Sequence, residues 1–162
     1  MKHESYLKKI DNDYLDLAQD FADYQSTCIK VKVGSCIVTA NPHPIFGCNH
    51  GVQRCTENGC RRIALYGNAS KEHRLPSDCD ALHSEIDAIC DAAKSGISLK
   101  GATIYVTRYP CEACARAIAA SGIKKVVYGR RENISSYTEE ILAAENIEIV
   151  HQIGWEREDN NE

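Results

Sequence analysis

Four side chains in this sequence carry a recognisable chemistry: His83, Glu85, Cys111 and Cys114. They occur as His83-Ser84-Glu85 and, further along, Pro110-Cys111-Glu112-Ala113-Cys114. Two cysteines three residues apart at the start of a helix point the same way, one turn apart, and can share an ion. The positive end of a helix also favours their thiolate forms. Imidazole nitrogen and thiolate sulfur are the donors that Zn²⁺ prefers, and a catalytic zinc keeps three protein ligands with water in the fourth position. His83, Cys111 and Cys114 therefore read as one zinc-binding set. Glu85 is two residues beyond the histidine. In the first turn of a helix it reaches past the metal to the bound water, where a carboxylate can take a proton and pass it on. A structural zinc site has no use for that carboxylate, which argues against a protein that only binds metal.

These residues need rigid elements to hold them, and the pattern of the chain supplies candidates. Apolar residues from Tyr6 to about Gln25 recur at helical spacing, with Ser5 as a candidate cap. Residues 29–38 alternate as a strand, Asn41-Pro42-His43-Pro44 is a turn, and Ile45–Asn49 reads as the returning strand of a hairpin. A helix is expected over Ala81–Lys94 and a strand over Ala102–Thr107. The helix Cys111–Ser121, opened by Pro110 and closed by Gly122, comes next, then a strand at Lys125–Tyr128. A helix capped by Ser135 or Ser136 and a last strand over Ile147–Ile153 complete the set. The later half alternates helix and strand, which favours a sheet covered by helices, and the opening hairpin makes that sheet mixed. At 162 residues the chain reads as one domain, with an acidic tail over 155–162 expected to fray.

Composition narrows the function classes. No apolar run reaches the roughly 20 residues of a membrane helix, and the opening residues lack the apolar stretch of a secretory signal, so a cytoplasmic protein is expected. The net charge of −4 leans towards a small-molecule partner and away from nucleic acid. Nine cysteines in a reducing compartment point to metal or chemistry before disulfides. Cys36 and Cys90 sit in strongly patterned segments and read as small buried apolar residues.

Residues 50–80 show no clear periodicity, and a loop that long inside a compact domain tends to be tied down. Cys55, Cys60, His73 and Cys79 lie in it, with Cys28 shortly before the first strand. A metal clip gains most where a long segment lacks its own core. These five residues are therefore candidates for a second, structural zinc.

The combination H-x-E…P-C-x-x-C is the signature of zinc deaminases. The chain resembles the cytidine and deoxycytidylate deaminase superfamily, and is most similar to its deoxycytidylate branch. The likeness rests on His83–Glu85, Gly101–Thr107, Pro110–Cys114, Ala115–Tyr128 and, at the first strand, Val33–Val38. It covers about two-thirds of the sequence. The resemblance implies a three-layer α/β/α sandwich around a five-stranded mixed sheet. It also implies one catalytic Zn²⁺, deamination of dCMP to dUMP with release of ammonia, and a homo-oligomer, whether hexamer, tetramer or dimer. That family usually has alanine where this chain has Ser84. Its Gly-Tyr-Asn-Gly segment appears as Gly47-Cys48-Asn49-His50-Gly51, with Asn49 in the position that hydrogen-bonds the nucleoside. Lys71-Glu72-His73-Arg74 is similar to a segment of some phage members that carry a structural zinc. Phosphate recognition is open among Lys30, Lys32, Arg54, Arg61, Arg62 and Arg74. Alternatives are another cytosine nucleoside or nucleotide deaminase, a tRNA adenosine deaminase (which Gly129-Arg130-Arg131 would suit), a pyrimidine deaminase of riboflavin synthesis, and an antibiotic deaminase.

Overall fold

The computed structural model describes residues 2–51, 54–67, 79–132 and 134–155. Five strands form the main sheet: β1 (Gly34–Val38), β2 (Ile45–Cys48), β5 (Thr103–Arg108), β6 (Lys125–Arg130) and β7 (Glu148–His151). Their order is β2-β1-β5-β6-β7. β1 runs antiparallel to both β2 and β5, while β5, β6 and β7 are parallel. The sheet is therefore mixed, as expected. Its parallel half requires crossovers, and α5 (Glu112–Ser121) and α6 (Ser136–Ala144) supply them.

Alternating side chains divide the strands between two cores. Ile37, Ile104, Val106 and Val126 face α5, α6 and α4 (Ser84–Lys94), packing with Ala88, Ala115, Ile118 and Leu142. Cys36, Tyr105 and Val127 face the opposite way, onto Leu15 and Ala18 of α1 (Lys2–Gln25) and onto Trp155. Three layers result. Burying each fully enclosed Leu or Ile contributes about 1.5–3 kcal/mol, so both faces are held firmly. Gly34 lets α1 close on the sheet, since a Cβ there would stand 1.9 Å from the Ala18 carbonyl oxygen.

Several boundaries differ from the sequence expectation, each for a local reason. α1 begins at Lys2, so Ser5 lies inside the helix and caps nothing. The first strand starts at Gly34, not Ile29. Residues 31 and 33 bond instead to the Asn49 side chain, which accepts from the Val33 N–H and donates to the Val31 carbonyl. Ala81–Leu82 is not the start of a helix. It is a short strand, β4, antiparallel to β3 (His50–Gly51), and this pairing keeps the backbone extended up to His83. The segment read as structureless contains two short helices, α2 (Cys55–Asn58) and α3 (Arg61–Tyr66), neither of which buries a residue. Trp155 does not belong to a frayed tail. It is buried, its indole N–H donates to Asp16, and its ring fills the space beside Gly129, where a Cβ would clash at 2.1 Å. The rest of the expected tail, 156–162, lies outside the described residues.

Candidate active site

Two chain turns deliver the ligands. β4 ends at Leu82, so His83 becomes the N-cap of α4 with extended backbone (φ −77°, ψ 152°). β5 leads through Tyr109-Pro110 to Cys111, the N-cap of α5 (φ −75°, ψ 168°). Gly122 closes α5 in the left-handed conformation at φ 89°. The turn before α5 is braced from α6: the Ser135 hydroxyl donates to Glu112 at 2.8 Å, and the Tyr109 hydroxyl donates to the Ser135 carbonyl. α4 is seated on β2 because Gly47 has no side chain; a Cβ there would lie 2.3 Å from the Ser84 carbonyl oxygen.

The three donors meet. His83 Nδ1 is 3.4 Å from Cys111 Sγ and 3.4 Å from Cys114 Sγ, and all three ligand atoms lie within 4.8 Å of one another. A tetrahedral zinc with bonds of about 2.3 Å to sulfur and about 2.05 Å to nitrogen needs S···N edges of about 3.6 Å. The donor set thus fits the ion in type and in spacing. Exposure grades across it: Cys114 is buried, Cys111 half-buried and His83 exposed, which leaves an open side for a fourth ligand.

The protons of the metal-free pocket tell the same story. A hydrogen bond from the Cys114 thiol, with another from His83, pulls the Cys111 thiol down to about 3. The Cys111 thiolate in turn raises His83, against the opposing effect of burial. Cys114 is raised by sharing its proton with Cys111, then by burial and by the Glu85 carboxylate beside it. A metal held here requires both thiols as thiolates, so binding would release the proton that Cys114 shares with Cys111. Glu85 is only 4% exposed. Burial pushes its carboxyl up, opposed by its own backbone N–H, by His83 and by the Ser84 hydroxyl. A carboxylate lifted towards neutrality beside a metal site suits proton transfer in both directions.

Three contacts near the site were not read from the sequence. Ser84 donates to Glu85 Oε2 at 3.1 Å, and its oxygen lies 2.7 Å from that of Ser35; both serines are fully buried. The only hint was the hydroxyl where the resembled family has alanine. Asp87 accepts from the Cys48 N–H at 3.0 Å and sits 2.9 Å from His50 Nε2, clamping the end of β2 to α4. The charge of Arg62, on α3, is felt at His83 and opposes its protonation.

The other sequence candidates divide. Asn49 is tied into the fold: its Oδ1 accepts from Ser26 at 2.7 Å and from the Val33 N–H at 2.9 Å, and its Nδ2 donates to the Val31 carbonyl. Cys55 and Cys60 are hydrogen-bonded, and Cys28 and Cys79 stand close enough to raise the Cys55 thiol further, after burial. The four cysteines share a neighbourhood. Among the described residues, however, only the His83 set has three ligand atoms within 4.8 Å of one another. His73 lies outside the described residues. Cys36 is buried, and burial pushes its thiol up to about 12. Cys90 is exposed, contrary to expectation, because it occupies the solvent side of α4 while Ala88 and Ala92 take the core side.

Comparison with known proteins agrees with this geometry. The family profile described as the cytidine and deoxycytidylate deaminase zinc-binding region matches residues 8–130. The chain is 43% identical over 94 residues to the deoxycytidylate deaminase of Enterobacteria phage T2, covering 54% of this chain and only 50% of that protein. It is 36% identical over 123 residues to the deoxycytidylate deaminase of Mycobacterium phage D29, covering 73% and 92%. The fold is similar to the crystal structure of dCMP deaminase from cyanophage S-TIM5, with a TM-score of 0.64 at 23% identity, over 88% of this chain and 97% of that one.

Proposed function

The chain belongs to the cytidine and deoxycytidylate deaminase family, and on that premise we propose that it is a zinc-dependent hydrolase converting dCMP to dUMP and ammonia. The observation that carries this reading is the His83, Cys111 and Cys114 donor triangle, with the buried Glu85 carboxylate beside Cys114. Zinc held by those three residues supplies a Lewis acid that makes water nucleophilic near neutral pH. Glu85 takes the proton lost as water adds to the ring carbon bearing the amine, and gives it to the adjacent ring nitrogen. It then carries a second proton from the new hydroxyl to the amine, so that ammonia leaves and the carbonyl of the uracil ring forms. The raised Glu85 carboxyl favours both halves of that cycle.

Substrate recognition follows from the surroundings. Asn49 donates one Nδ2 hydrogen to Val31 and keeps a second for the nucleoside. Zinc with two thiolates is neutral, so Glu85 leaves the site acidic and a nucleotide phosphate needs a cation nearby. The charge of Arg62 reaches His83, which supports Arg62 for that role. Every described candidate has a partner, Arg54 with Glu57, Arg61 with Asp80, Lys32 with the Asp23 carbonyl, and Lys30 and Arg62 as well; Arg74 lies outside the described residues. The glycine that favoured a tRNA-editing alternative, Gly129, is accounted for by the close approach of Trp155.

A second, structural zinc at Cys28, Cys55, Cys60 and Cys79, with His73 as a further candidate, is supported by the nearness of the other three thiols to Cys55. No helix among the described residues is long and apolar enough to cross a membrane. All nine cysteines are free, which supports a reducing, cytoplasmic setting. Exposed Tyr6, Leu17 and Tyr24 on α1 support a homo-oligomer. The test is an ultraviolet deamination assay over cytidine, deoxycytidine, CMP, dCMP and dCTP, with zinc measured on the same sample. Fastest turnover of dCMP is expected; a folded, zinc-loaded protein inert towards every aminated pyrimidine would overturn the reading.

A further inference from the structure

We propose that Ser84, backed by Ser35, is a positioning residue that fixes the Glu85 carboxylate for proton transfer. The inference rests on the deaminase reading of this site and adds a role for two residues which that reading does not use.

The geometry sets the direction of each hydrogen bond. An ionised carboxylate only accepts, so at 3.1 Å the Ser84 hydroxyl donates to Glu85 Oε2. Its single proton is then committed, and the 2.7 Å contact with Ser35 requires Ser35 to donate to Ser84. Ser35 lies on β1, paired through its backbone with Gly47 on one side and Val106 on the other. The catalytic carboxylate is thereby tied to the centre of the sheet as well as to its own helix. Ser35 and Ser84 are both 0% exposed and Glu85 is 4% exposed, so water does not replace the missing partner readily.

What the chain of hydroxyls secures is one oxygen. With Oε2 held by Ser84, the carboxylate plane is set and the proton transfers fall to Oε1. A carboxylate that shuttles two protons between partners a few ångströms apart loses rate when it rotates between poses. While the shuttled proton rides on Oε1, Oε2 stays an acceptor for the Ser84 hydroxyl, so the tether persists through the cycle. Alanine at this position makes neither contact. The link also explains why two buried hydroxyls face one another between β1 and α4, where apolar side chains would otherwise pack.

The test uses the full chain loaded with zinc and whichever pyrimidine the wild type turns over fastest. Ser84→Ala is expected to lower kcat about tenfold, the scale of one hydrogen bond to a charged group, with KM within twofold and zinc per chain unchanged. Ser84→Cys, near in size but a weak donor, falls between the two. Ser35→Ala lowers kcat less than Ser84→Ala, and it also covers the case in which Ser84→Ala does not fold. In a Glu85→Gln background the serine changes have no further effect, because the group they position is gone. A Ser84→Ala enzyme with wild-type kcat overturns the proposal, as does a loss that multiplies with Glu85→Gln or appears only through KM or zinc content. An inert wild type defeats the deaminase reading itself, a different failure from an active wild type indifferent to Ser84.

Discussion

The two cysteine clusters of this protein use similar side chains and reach different states of order. His83, Cys111 and Cys114 are N-terminal residues of α4 and α5, two helices of 11 and 10 residues with their inner faces buried in the core. Their donors already stand at the spacing a tetrahedral ion needs. Cys28, Cys55, Cys60 and Cys79 belong to a connection, a 4-residue helix, the cap of a 6-residue helix and a strand approach. Those short helices bury nothing, and their thiols come near one another without closing to ligand distance. A core can preorganise a metal site when the ligands are on elements it holds; where it does not, the ion itself must contribute the ordering. The first cluster is therefore preorganised for a metal, and the second would need the proposed ion to draw it together.

The sharpest way to break this comparison is to remove a ligand from each. Cys114→Ala is expected to abolish deamination and the catalytic zinc together. On the proposed second zinc, Cys55→Ser with Cys60→Ser should remove one equivalent of zinc and leave kcat within a few-fold. Paired zinc analysis and turnover measurements decide it, and equal losses of activity in the two variants would dissolve the distinction. Next in size is Glu85→Gln. General acid–base catalysis is worth about 10²–10⁴-fold, so kcat should fall on that scale with zinc retained. Retained zinc shows that the carboxylate moves protons and does not hold the metal.

Preorganisation itself can be attacked at Gly47. Gly47→Ala forces a Cβ to within 2.3 Å of the Ser84 carbonyl and should cost about 1–3 kcal/mol, the usual scale for overpacking. Denaturant titration would show it, and kcat should fall as α4 shifts. A change at the end of α2, Gly59→Ala, meets nothing within 4 Å and is strained only through its positive φ of 77°, so it should leave kcat nearly intact.

The smallest effect concerns pH. Burial raises the Glu85 carboxyl above its ordinary 4.5. The folded state then prefers the protonated form. The resulting stabilisation is complete below about pH 4.5 and is lost as pH rises through the folded value. Gln carries no such cost. Metal-free Glu85→Gln protein should therefore melt higher than metal-free wild type near neutral pH, with the gap closing as pH falls to about 4.5. An unchanged gap across that range would mean that burial of this group is not what tunes it. A more stable, less active variant is the expected trade at a functional site.

Much of the molecule could be read from residue order. The parallel half of the sheet was legible because β5, α5, β6 and α6 each carry their own period and their own punctuation at Pro110, Gly122 and Ser135. The metal set was legible because zinc donor chemistry is restrictive and the cysteine spacing matches one helical turn. Misreadings fell where a distant partner decides. Residues 29–33 alternate as a strand should, yet Asn49 takes their hydrogen bonds. Leu82 and Ile86 are spaced as on a helix, yet pairing with His50 holds Leu82 extended. Cys90 and Cys36 look alike in sequence and end on opposite sides of the burial boundary.

The sequence alone determined which atoms can hold zinc and which carboxylate can move protons, since both follow from side-chain type and from spacing within one helical turn. Only the tertiary structure decided that His83, some thirty residues away from the cysteines, closes the triangle at 3.4 Å. It alone placed Ser35 behind Ser84 and Arg62 within reach of His83. Local periodicity reports the face of an element and its ends. It carries no information on which faces meet, because that is settled by packing and by hydrogen bonds between residues far apart in the chain.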